Sequence, residues 1–177
     1  MKKILLLSLF ALMASISQAQ IWVGGSLGIK VDDDKKKTTI SLSISPELGI
    51  SLNSKWDIAV GITEVHTNYN PDIGNSYSAN YLSINPFTRY TIAEVGLVSF
   101  FVDGGFIIGT GDYDGFENKT DWAIGLRPGI KLIVSSHLAL TARLGYFGYR
   151  YEGGPDRSTF GIGVDNSNIS FGGYYTF

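Results

Sequence analysis

Few residues in this chain have the type and spacing to carry chemistry. It contains two histidines and no cysteine, which excludes a thiolate nucleophile and a disulfide framework. A general base needs an oriented partner and a group to activate. His66 is followed by Thr67 and Asn68 with no serine two residues on, and His137 closes the turn-like Ser135-Ser136-His137. Asp112-Tyr113-Asp114-Gly115-Phe116-Glu117 is acidic but lacks the twelve-residue spacing and closing Glu of a calcium loop. Gly109-Thr110-Gly111 has neither the Lys nor the helix of a phosphate loop. Asp32 to Lys37, three acids then three bases, is a self-neutralising hairpin tip. The reading is therefore of no catalytic residue, metal or cofactor, and the net charge of −2 argues against a nucleic-acid partner.

Other charges, among them Glu47, Arg127 and Lys131, sit inside segments of period two. Ile40, Leu42, Ile44, Leu48 and Ile50 alternate with Ser41, Ser43, Ser45, Glu47 and Gly49. Trp122, Ile124, Leu126, Ile130 and Leu132 alternate with Ala123, Gly125, Arg127, Gly129 and Lys131. Such alternation signals β-strands, and eight runs show it: 21–30, 38–52, 56–67, 80–90, 97–108, 121–134, 138–149 and 160–177. One face of each is aliphatic, and the other is mostly Gly, Ser, Ala and Thr. A soluble sandwich would expose Lys and Glu on that second face. Small residues instead suit a narrow barrel lumen, and a continuous aliphatic face suits lipid.

Upstream of these strands, Lys2 and Lys3 precede an apolar stretch from Ile4 to Ala14, and Ser17-Gln18-Ala19 offers small residues at a cleavage site. This predicts a signal peptide over residues 1–19 and a single barrel domain over 20–177. The connections alternate between short (53–55, 91–96, 135–137) and long and polar (31–37, 68–79, 109–120, 150–159). That predicts an all-β, eight-stranded, antiparallel up-and-down transmembrane barrel with short periplasmic turns and longer extracellular loops.

In this register Lys30, Glu47, Asp57, Arg89, Asp103, Arg127, Lys131 and Arg143 face the lumen, while Glu64 falls where the third strand's alternation slips. An Arg or Lys facing lipid at the midplane would cost about 2–4 kcal/mol. Eight strands leave room only for side chains, so Glu47, Asp103, Arg127 and Arg143, with Lys131 and Arg89, are expected to form a salt-bridge network that fills the interior. Pro46, Pro86 and Pro128 recur at equivalent places in strands 2, 4 and 6, which predicts a ladder irregularity at each. Trp56, Tyr90, Tyr175 and Phe177 form one expected interfacial girdle, and Trp122, Tyr69, Tyr81 and Tyr146 the other, with Tyr146 deeper.

Ser45-Pro46-Glu47-Leu48-Gly49, Asn85-Pro86-Phe87-Thr88-Arg89-Tyr90 and Ser170-Phe171-Gly172-Gly173-Tyr174-Tyr175-Thr176-Phe177 resemble the Bacteroidetes-type outer membrane protein β-barrel domain, often labelled porin family. The resemblance implies a bacterial outer-membrane location and insertion by the barrel assembly machinery, which reads the last strand through Phe177. It implies no activity. The functional expectation is a non-enzymatic, monomeric barrel in contact with lipid and lipopolysaccharide, its lumen closed and its loops open to a surface ligand. The alternatives are a narrow porin or ion-conducting channel, or a lipid A-modifying barrel enzyme.

Overall fold

A computed structural model describes residues 19–34, 37–71, 76–113, 116–153, 155–163 and 169–177; the predicted signal peptide, apart from Ala19, lies outside them. Ten strands follow in order: β1 Gln20–Asp34, β2 Lys37–Ser51, β3 Trp56–Pro71, β4 Tyr77–Val95, β5 Val98–Tyr113, β6 Phe116–Ile133, β7 Leu138–Leu144, β8 Tyr146–Glu152, β9 Arg157–Gly163 and β10 Ile169–Thr176. All pair antiparallel with their neighbours. β10 closes on β1 between Trp22↔Thr176 and Leu27↔Phe171, so the sheet has no free edge at its base. The ring has eight staves, because β7 and β8 are one stave interrupted at Gly145, and β9 and β10 share the last.

The burial pattern is inverted relative to a soluble protein. Ile44, Leu48, Ile58, Ile84, Ile124 and Phe171 are exposed, whereas Glu47, Arg89, Asp103 and Arg143 are buried. An aliphatic outer wall around a polar interior is stable only where hydrocarbon is the solvent. Inside, aromatic rings lie over glycines of the adjacent strand. Trp22 is paired with Gly49 and Phe101 with Gly129, and a Cβ on either glycine would overlap the ring. The chain's 22 Gly and 23 aromatic residues (10 Tyr, 10 Phe, 3 Trp) are thus partly a packing device, ring into notch.

Each proline leaves a two-residue gap in the ladder, on one side only. Pro46, Pro86 and Pro128 stay in register with the preceding strand, opposite Gly25, Val60 and Val102. Toward the following strand, pairing jumps from Ile44↔Glu64 to Glu47↔Gly61 and from Ile84↔Ile108 to Phe87↔Gly105. At the third, Leu126↔Phe147 gives way to Gly129↔Arg143, so Arg127 and Pro128 face three residues, Leu144 to Tyr146. This is a bulge, and Gly145 takes its backbone strain at φ 143°.

Several predicted boundaries move. The second short turn, expected over 91–96, tightens to Gly96-Leu97, with Gly96 at φ 61°, because β4 runs on to Val95 past a bulge between Thr91 and Ala93. Much of the segments read as long loops is continued hairpin: β1 and β2 pair up to Asp34↔Lys37, and β3 and β4 up to Tyr69↔Tyr77. Backbone pairing outlasts the apolar alternation, which marks only the lipid-facing part. The tips at 35–36 and 114–115 lie outside the described residues.

Candidate functional site

Five strands send polar side chains to one level of the lumen. Arg143 of β7 donates from Nη1 and Nη2 to the two oxygens of Glu47 on β2, at 2.8 and 2.9 Å. Its Nε donates to Asp103 Oδ2 at 2.8 Å. Arg89 of β4 grips the same carboxylate, Nε to Oδ1 at 2.7 Å and Nη2 to Oδ2 at 2.9 Å. Arg89 Nη2 also donates to the Tyr174 hydroxyl of β10 at 2.8 Å. The chain Glu47, Arg143, Asp103, Arg89, Tyr174 crosses the lumen, and all five side chains are buried. The Phe87 ring lies within 6 Å of three guanidinium carbons, those of Arg89, Arg127 and Arg143, and Phe101 stacks 4.0 Å from that of Arg89. Flat faces that bind cations let three like charges share so small a space.

Arg127 stands beside this chain without joining it. It is the cross-strand partner of Asp103, as Arg89 is on the other side. Arg89 and Arg143 take both Asp103 oxygens, so among the described residues Arg127 has no ion pair and its buried Nη2 no hydrogen-bond partner. Lys131 lies apart, in the wall of a separate chamber with Asp57. The network expected from sequence therefore contains Glu47, Asp103, Arg89 and Arg143, with Arg127 at its border and Lys131 outside. Tyr174 is a member that sequence reasoning placed in no network; its inward position opposite Gly24 was the available signal.

The network divides the lumen in two. Toward the long hairpins lies a cavity of about 480 Å³, whose floor includes Arg127, Arg143 and Asn85. Toward the short turns lies one of about 210 Å³, walled by Arg89, Asp57, Lys131 and His137.

Two expectations about the surface are corrected. Tyr69, Tyr81 and Tyr146 line the upper cavity and are not in an outer girdle, and Tyr146 donates to Ile124 O or Tyr149 O, each at 2.9 Å. Trp122 does stack on Phe106, at 6.2 Å. At the lower rim Trp56 packs on Tyr90 at 4.7 Å and Tyr175 on Phe177 at 5.2 Å. Glu64 points outward between Ile44 and Leu82, at the upper end of the apolar band, where His66 and Asn68 follow. His66 Nδ1 meets Asn80 Oδ1 at 2.7 Å, so its partner is an amide and not a carboxylate. Among the described residues no cluster of His, Cys, Asp and Glu has the makings of a metal site.

Solved structures similar in shape include a de novo designed transmembrane β-barrel, at 15% identity and TM-score 0.43, covering 89% of this chain and 95% of that one. Neisserial surface protein A matches at 17% identity and TM-score 0.48, over 90% and 96%. OmpT, an outer membrane protein of Vibrio cholerae, matches at 11% and 0.30, over 90% of this chain and 52% of that one. No curated protein matches. The sequence profile described as "Outer membrane protein beta-barrel domain" matches residues 4–177, and the chain belongs to that family of outer-membrane β-barrels.

Proposed function

We propose that this protein is a non-enzymatic outer-membrane barrel whose lumen is closed by the Glu47–Arg143–Asp103–Arg89 chain and whose hairpin tips carry its surface interactions. The supporting observation is that this chain is continuous from β2 to β5 across the lumen and satisfies both carboxylates with bidentate arginines. The long hairpins face the exterior in this reading, among lipopolysaccharide, and the short turns face the periplasm after cleavage behind Ala19. Phe177 is exposed at the short-turn rim, its N–H bonded to Ile21 O, which suits a terminal residue read by the barrel assembly machinery. In this reading the protein acts as a monomer, its ring completed within one chain by the pairing of β10 with β1.

A narrow ion path is the second reading. It is favoured by the polar chambers that approach the plug from both ends. Planar-bilayer recording separates the two. The closed-lumen reading expects no steady conductance from the folded barrel and its appearance when Arg143 is replaced by Ala. A large steady conductance of the unaltered protein overturns it.

A further inference from the structure

The upper cavity has a charge imbalance at its floor. The cluster holds two buried carboxylates, Glu47 and Asp103, and three guanidinium groups, those of buried Arg89 and Arg143 and that of half-buried Arg127, whose Nη2 is enclosed. Arginine cannot shed its proton, so one positive charge is left over, and the hydrogen bonds assign it to Arg127. An uncompensated buried charge is costly. In the same cavity, Asn85 is 3% exposed, and its side-chain amide has no hydrogen-bond partner among the described residues. Both residues line the same 480 Å³ cavity, which is of the size that holds small molecules and opens toward the long hairpins. The rest of its lower wall is rich in hydroxyls, Ser43, Thr63 and Ser83 among them.

We propose that this floor is a binding site for one small organic acid, whose carboxylate pairs with Arg127 and accepts a hydrogen bond from the Asn85 Nδ2–H. A monovalent anion matches the surplus charge. A dianion would be repelled by Glu47 and Asp103, which stand just behind the guanidinium. A planar carboxylate also matches the two-pronged donor face of arginine. The hydroxyl-lined wall above accepts a polar body on that carboxylate, and the rim, with Asp121, Glu152 and Arg150, admits it from the long-hairpin side. The site lies above the plug, so it requires no passage through the barrel.

Calorimetric titration of the folded barrel in detergent micelles tests this, with sodium acetate, lactate, phosphate and chloride as separate probes and the melting midpoint as a second readout. Saturable one-site binding of acetate or lactate with a raised midpoint is the expected result. Arg127→Gln is expected to abolish both effects, and Lys131→Gln in the separate lower chamber to leave them. Asn85→Asp places a carboxylate of the protein's own in the cavity that Arg127 lines. It is expected to raise the midpoint with no ligand present and to remove acetate binding, which keeps the test decisive if Arg127→Gln fails to fold. Saturation by phosphate or chloride with none by the carboxylates overturns the assignment. Undiminished acetate binding in Asn85→Asp, or no saturable binding by the unaltered barrel, does so too.

Discussion

Asp103 shows how far a lumen can be read from its residues. Its neighbours across the ladder are Arg89 on one side and Arg127 on the other, and register alone favours neither. Arg143 decides the matter by coming across the lumen to the second oxygen, a contact no strand pattern encodes. That Glu47, Asp57, Arg89, Asp103, Arg127, Lys131 and Arg143 point inward was therefore legible, and which of them pair was not; the side chain of Lys30 lies outside the described residues. The pairing has a measurable consequence. Replacing Arg143 by Met strands Glu47, and removing one partner of a buried pair typically costs about 3–5 kcal/mol. Denaturant titration of Arg143→Met should show a loss of that size, and the double variant with Glu47→Gln should recover part of it. Gly49→Val tests packing at the same scale. A branched side chain would drive into Trp22, and overpacking of a filled interior costs about 1–3 kcal/mol.

At the scale of elements, strand identity and facing were readable because lipid and lumen impose opposite tastes on alternate residues. The breaks were readable only in part. The three prolines announced ladder gaps, but nothing in the run from Leu138 to Tyr149 showed that the stave would divide at Gly145. That break arises because the chain must take up one extra residue opposite Arg127-Pro128. Gly145→Ala should therefore destabilise the barrel by about 1–3 kcal/mol, the range for a non-glycine residue forced into such backbone. Gly161→Ala meets open space and should be neutral in the same unfolding assay. Strand ends were the least legible feature, since hairpins continue past the membrane on backbone hydrogen bonds that leave no mark on side-chain alternation.

For the whole molecule, closure of β10 on β1 predicts a ring that resists detergent until boiled. Unboiled and boiled samples should migrate differently on a detergent gel, and a protein that migrates identically in both is not a closed barrel. The two chambers carry a further consequence. Electrical potential falls across material of low polarisability and hardly at all across water. In the proposed closed-lumen reading, the polar chambers on either side of the network bring both aqueous phases close to it, so a potential difference across the membrane is concentrated on the thin layer that the network occupies. A full elementary charge crossing that layer would exchange about 2.3 kcal/mol per 100 mV with the field. Arg127, with no ion pair among the described residues, borders this layer, so in that reading its charge responds to a change of voltage.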